Sequence, residues 1–365
     1  MHHARYLFQG GKQRMKRTFS VAVLVILACT ILFSGGAAWA WSGRLGWTFK
    51  ADAPITSSVA VAGGLVLAGD SVGNLYAVQA ASGRLAWSYK GTNSVVGRPS
   101  IMGDKVIFAQ ADGTITCLAV KSGKVAWQYV PPEESYAAET VVDGTAVGEN
   151  KAFFVKGDGK LYAISAANGK VLWTYDSGLE LRSAPAFASG LVLLGEQRGV
   201  FSAISPKNGK RLWGGGAGGA INTPSVNGGN VFFSSWDGSV QSVRIKGVVP
   251  QWKANVGDPV TTAPFIGGGK VFVGTANGKI AALAEKNGSV LWSFDTQGGS
   301  VAAQPVFGEG LVFAGGGQGT LFVLDAASGR ERFTFATGGG INGSPAFAGG
   351  VLYLGSADGN LYAIM

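Results

Sequence analysis

The side chains able to do acid–base or metal chemistry are few in this 365-residue chain, and their spacing does not assemble a reaction centre. The two histidines, His2 and His3, precede the one long apolar segment. Everything after that segment therefore lacks an imidazole for general-base work or metal ligation. Of the two cysteines, Cys29 lies inside the apolar segment and Cys117 stands alone in the body. One cysteine makes neither a disulfide within the body nor a thiolate cluster. Asp70, Asp104, Asp143, Asp258 and Asp325 are scattered over different repeats, and Asp112, Asp158, Asp237 and Asp358 sit in Asp-Gly turns that explain them. No D-x-D-x-D run offers a calcium loop, and no spacing proposes a working carboxylate pair. On this reading no residue is assigned a catalytic, cofactor-binding or metal role.

What is left are residues suited to touching a partner. Glu133, Glu134 and Tyr136 stand in an insert, YVPPEESYAAETVVDG, at residues 129–144. Loops on a rigid scaffold are where specificity is usually carried, although repeats also drift in loop length. Arg98, Glu139 and Arg182 interrupt short segments (VGRPS, AETVV, LRSAPA) that are otherwise small or polar. They form either a charge network at a channel mouth or satisfied polar groups along a wet channel. Trp236, in SSWDG, replaces the small residues Ala111, Gly157, Ala276 and Ala357 of equivalent places. It is either a contact residue or a cover for its own sheet edge.

The elements that position these residues come from a repeat. GNLYAVQAASGRLAW, ending at Trp87, returns as GTITCLAVKSGKVAW, GKLYAISAANGKVLW, GVFSAISPKNGKRLW, GKIAALAEKNGSVLW and GTLFVLDAASGRERF. A looser copy, GSVQSVRIKGVVPQW, ends at Trp252. The closing aromatics are Trp47, Trp87, Trp127, Trp173, Trp213, Trp252, Trp292 and Phe333, at steps of 40, 40, 46, 40, 39, 40 and 41 residues. This period, with several short strands per unit, predicts propeller blades, and one aromatic per unit predicts packing between blades. Within the first unit the strands read as residues 55–62, 65–68, 75–79 and 85–89, with Leu85, Trp87 and Tyr89 on one face. Asp-Gly and Asn-Gly pairs join the second and third strands, where a tight hairpin needs positive φ. Cys117 falls in the slot held elsewhere by Ala77, Ala163, Ala203 and Ala363, a small core position.

The ends are complementary. The chain stops at Met365 after GNLYAIM, a third strand with no fourth, while SGRLGWTF at residues 42–49 is a fourth strand with no partners. The N-terminal strand therefore completes the last blade. The result is an all-β, eight-bladed propeller of four-stranded antiparallel blades over residues 41–365. The innermost strands line a central channel, and prolines 99, 185, 224, 264, 305 and 345 follow them closely.

Residues 1–17 carry five basic and no acidic side chains, and residues 18–40 are long and apolar enough for a hydrophobic helix that spans a bilayer. Three fates are open. The segment stays as an anchor, is cleaved after Ala38-Trp39-Ala40, or ends in a lipid on Cys29, since Ile26-Leu27-Ala28-Cys29 loosely resembles a lipobox. Each puts the propeller outside the cytoplasm, and a membrane-associated, extracytoplasmic location is expected. Removing the five leading basic residues from 30 leaves 25 against 21 acids, an excess of +4 scattered over turns. That offers no basic face for nucleic acid.

The phrase GxLYAxxxxxGxxxW, as in Gly159 to Trp173, resembles the PQQ-like β-propeller repeat family over essentially residues 41–365. The resemblance implies the fold strongly and the function weakly. Members include quinone-dependent dehydrogenases, sensor domains that read a ligand, and BamB-like lipoproteins of outer-membrane assembly. A dehydrogenase would imply calcium-held quinone, a stacking tryptophan, a catalytic aspartate and often adjacent cysteines. This chain has no such cysteine pair and lacks the long insertions of those enzymes, and only Trp236 and Asp237 imitate fragments of the site. The BamB-like resemblance implies a scaffold without cofactor, whose blade-connecting loops grip a membrane-bound protein partner.

Overall fold

The computed structural model describes residues 41–131, 146–178, 181, 183–196, 198–216 and 219–365. These form eight four-stranded antiparallel sheets. Blades 1 to 7 are each built from consecutive strands: residues 60–90, 95–129, 146–176, 186–216, 225–255, 265–295 and 306–336. Blade 8 combines Ala346–Ala348, Val351–Gly355 and Asn360–Ile364 with Leu45–Lys50 from the other end of the described chain. The closing register places Trp47 against Ala363 and Phe49 against Leu361, and Arg44 and Met365 exchange two backbone hydrogen bonds of 2.8 Å. Inner strands of neighbouring blades meet around the axis, including blade 8 with blade 1. Closure of this kind removes the open sheet edges that side-by-side blades would otherwise present.

Each aromatic of the repeat acts on the next blade. The Trp47, Trp87, Trp127, Trp173, Trp252 and Trp292 indole N–H groups donate to the carbonyls of Ala80, Val120, Ala166, Pro206, Glu285 and Ala326, at 2.8–3.1 Å. Those carbonyls belong to the turn before the next outer strand. In most seams a glycine of the same turn lies against the indole. A Cβ on Gly123 would stand 2.6 Å from the Trp87 ring, and its φ of +66° excludes most other residues as well. Within its own blade each aromatic opposes a small or slender residue: Ala77, Cys117, Ala163, Ala203, Ser242, Ala282, Val323 and Ala363. The repeat phrase is thus one steric unit, with the hydrogen bond added in six of the eight seams.

Two strand readings need correcting. The first strand of blade 1 is only Ala60–Ala62, not residues 55–62, with Ile55 making one isolated bridge to Asp70. The blades converge there, so backbone groups pair across blades: Ser58 N–H donates to Gly97 and Val59 N–H to Ser344. Leu85 does not share the inward face of Trp87 and Tyr89. A β-bulge just before the tryptophan reverses the alternation and leaves Leu85 47% exposed. The same irregularity recurs in the outer strands, and Leu45, Val125, Val171 and Val290, each two residues before the aromatic, are exposed with it.

The seams make a graded prediction. Trp87→Phe keeps a ring and loses its hydrogen bond, at a cost of about 1–2 kcal/mol, while Trp87→Ala costs about 3–5 kcal/mol. Trp213 makes no such bond, so Trp213→Phe should cost less than Trp87→Phe in equilibrium denaturation.

Candidate functional site

Antiparallel order fixes what each end of the propeller carries. The first-to-second and third-to-fourth turns share one end, and the second-to-third turns share the other end with the links between blades. The second is called the loop end here. Residues 132–145 belong to one of its links, so Glu133, Glu134, Tyr136 and Glu139 lie outside the described residues, as does Arg182. Residues 1–40, with the apolar segment and Cys29, lie outside them too. Arg98 and Trp236 are described, and the structure does not bring them together.

Arg98 is in the inner strand of blade 2, Val95–Met102, and lines the central channel with Ser58, Thr223, Gln304, Asn342 and Ser344. Among the described residues of that cavity, it is the one charged side chain. Its guanidinium donates to the Pro345 carbonyl at 3.3 Å. The hydroxyls beside it join neighbouring blades. Ser58 Oγ accepts from Ser344 N–H at 3.0 Å, Ser344 Oγ from Gln304 N–H at 3.2 Å, and Thr223 Oγ1 from Ala184 N–H at 3.1 Å. Gln304 Nε2 donates to the Pro264 carbonyl at 3.0 Å, and Asn222 Nδ2 to that of Val260 at 2.9 Å. These side chains hold the ring together at its axis.

Trp236 sits in a second-to-third turn at the loop end. Its N–H donates to the Ala220 carbonyl at 3.1 Å, and its side chain is 55% exposed. Beside it, burial opposes ionisation of Asp237, but hydrogen bonds from Ser239 and Ser235 and the Lys253 charge outweigh that and hold the carboxyl below its usual range. The other turn carboxylates cap their own hairpins. Asp112, Asp158 and Asp358 accept the N–H two residues on at 2.8–3.0 Å, and Asp158 and Asp358 also take Tyr162 and Tyr362 hydroxyls at 2.6 Å. Asp70 takes the N–H groups of Val72 and Asn74, the Asn74 amide and the Tyr76 hydroxyl.

One feature of this end has a weak sequence signal. The first residue of each second-to-third turn is buried and often polar, with Asp70, Gln110, Lys156 and Glu196 in blades 1 to 4. Burial raises the Glu196 carboxyl pKa, against the Ser202 hydrogen bond and the Arg211 charge. Burial also pushes the Cys117 thiol up to about 11, as suits its core position opposite Trp127.

The described residues do not assemble a site for a calcium-held quinone. Among the described residues no three Asp, Glu, His or Cys converge, and the channel's polar groups are engaged across blades. No step through such a group follows from this geometry.

The fold is that of an eight-bladed PQQ-type propeller. The chain belongs to the family described as outer membrane protein assembly factor BamB, whose model matches residues 37–247, 249–306 and 276–365. One curated relative, the outer membrane protein assembly factor BamB of Shewanella oneidensis, is 27% identical over 123 residues. That match spans 32% of this chain and 31% of the relative. The crystal structure of BamB from Moraxella catarrhalis superposes with a TM-score of 0.75 at 17% identity, covering 88% of this chain and 98% of that one. The computationally designed Ika8 protein superposes at 0.73 with 18% identity, covering 86% and 97%. At these identities the superpositions speak for the fold alone.

Asp325 supplies the electrostatic prediction. Burial disfavours its ionised form, yet the Arg332 guanidinium at 2.7 Å and the Ser328 hydroxyl and N–H prevail and lower its pKa to about 2. A lowered carboxyl pKa stabilises the fold above the unfolded value of about 3.9, and the gain is lost as pH falls towards about 2. Asp325→Asn should cost about 1 kcal/mol at pH 7, because the partly exposed guanidinium is screened. The variant should match the native chain in denaturation near pH 2.

Proposed function

We propose that the chain is a non-enzymatic scaffold, exported and membrane-associated, that holds a membrane-bound protein partner during outer-membrane protein assembly. The observation that carries this reading is Trp236, a large aromatic 55% exposed at the loop end of a closed ring. Exposed aromatics on a rigid frame are typical anchors of protein contacts. Family membership supplies the process, since fold alone does not specify function. In this reading the loop-end insert with Glu133, Glu134 and Tyr136 extends the contact surface, and Arg98, with Glu139 and Arg182, adds charge at the channel mouth. Residues 18–40, or a lipid on Cys29, tether the scaffold to the bilayer on the extracytoplasmic side.

The test is made in cells. In a strain lacking the chain, folded outer-membrane β-barrel proteins, read by heat-modifiable gel mobility, should fall at least twofold. The native chain should restore them, and Trp236→Ala, made to equal amounts, should not. Unchanged β-barrel levels in the deletion strain, or full rescue by Trp236→Ala, would contradict this reading.

A further inference from the structure

The basic residues that the sequence scatters over many turns are gathered by the fold at one end. The first-to-second and third-to-fourth turns share the end opposite the loop end, called the turn end here. In six of the eight blades the residue after the third-to-fourth turn glycine is basic: Arg44, Arg84, Lys124, Lys170, Lys210 and Arg330, all exposed. The second strands of three blades start at this end with Lys105, Lys151 and Lys270. Its turns add Lys121, Lys207, Lys246 and Lys286, and strands that begin or finish there add Arg211, Arg244 and Arg332. Against these sixteen cations stand six carboxylates: Asp104, Glu149, Glu285, Glu309, Asp325 and Glu331. The other described charges, at the loop end and in the channel, are eight basic and ten acidic. None of the six cations that follow a turn glycine is ion-paired with a described residue.

Aliphatic side chains stand among these charges. The outer strands of five blades begin at the turn end with Leu45, Leu85, Val125, Val171 and Val290, each 44–52% exposed. Leu212, the second residue of the outer strand of blade 4, is 55% exposed. Outer strands have no further strand beside them, so these residues form a broken apolar ring on the rim. Cations interleaved with aliphatics match the boundary of an anionic bilayer, where charged headgroups overlie acyl chains. Single-stranded nucleic acid asks instead for aromatic stacking platforms. A further observation comes from the backbone. The described chain begins at this end, where the Ser42 hydroxyl and the Arg44 N–H donate to the Met365 carbonyl at 2.7 and 2.8 Å. The apolar residues 18–40 are therefore joined in sequence to the propeller at its turn end.

We propose that the turn end docks on a bilayer surface of anionic phospholipid. Its Lys and Arg side chains meet the charged headgroups, and the rim aliphatics rest at the headgroup boundary. The loop end, with Trp236, then faces away from the bilayer. That the propeller is tethered to a membrane rests on the scaffold reading; that the turn end takes an anionic lipid surface does not.

The test places the full chain in bilayer nanodiscs, either of mixed phosphatidylglycerol and phosphatidylcholine or of phosphatidylcholine alone. Hydrogen exchange is read by mass spectrometry at physiological ionic strength. Third-to-fourth turns, such as residues 80–85 and 120–125, should exchange at least threefold more slowly in the phosphatidylglycerol discs. The loop-end turn at residues 236–238 should exchange alike in both. Molar salt should abolish the difference, because exposed charges are screened. So should the combined variant Arg84→Gln, Lys124→Gln, Lys170→Gln and Lys210→Gln. If that variant folds poorly, Arg84→Gln with Lys124→Gln should at least halve the slowing in residues 80–85 and 120–125. Equal exchange in the two discs, slowing at the loop end, or slowing that persists in a folded variant would overturn the proposal. Equal slowing from a DNA duplex added to the phosphatidylcholine discs would overturn it as well, since the face would then answer to any polyanion. The β-barrel levels in the deletion strain are read separately, so failure of lipid docking is distinguishable from failure of the scaffold reading.

Discussion

An indole N–H reaching a backbone carbonyl of the next blade, with a glycine turn beneath the ring, is the contact on which this structure depends. It needs three things at once. The donor ring must project from an outer strand, a small residue must stand opposite it, and the receiving turn must lack a Cβ. The repeat phrase supplies all three in 15 residues, from glycine to tryptophan. The bond also fixes where one blade sits relative to the next, so a local rule repeated around the ring sets the whole architecture. The last seam is closed from the N-terminal side. There Trp47 reaches the Ala80 carbonyl of blade 1, and Trp41 stacks on Phe333 of blade 7 at 5.2 Å.

This arrangement divides the molecule. Side-chain identity is constrained in the seams and at the axis, where hydroxyls and amides join inner strands across blades. The loop end is freer, because its turns satisfy their own backbone through Asp and Asn caps. Blade 5 collects several departures from the repeat. It carries exposed Trp236, buried and unpaired Ser242, Val248 in the glycine place and Ala254 where most blades have a ring. A blade that gives up regular packing at four positions of one repeat is a reasonable place to find contact with another molecule.

The fold was legible because its rule is local and periodic. The glycine–tryptophan spacing showed the blades, and the incomplete repeats at the two ends showed the closure. Strand limits at the axis were less legible, since hydroxyls such as Ser58 take hydrogen bonds across blades that no single repeat displays. The outward turn of Leu85 was hidden as well, because a bulge shifts alternation without changing residue type. Of the contact residues, Trp236 was readable as a large side chain in a small-residue slot, and the structure leaves it exposed.

Native-state hydrogen exchange, read peptide by peptide by mass spectrometry, tests the seam rule most directly. Protection should be high in the outer strands of seams closed by an indole–carbonyl bond, including Leu45–Lys50 at the closure. It should be lowest across the seam of blades 4 and 5, in Arg211–Gly216 and Val249–Asn255. Equal protection across all seams, or a closing strand that exchanges before the seam of blades 4 and 5, would contradict the account.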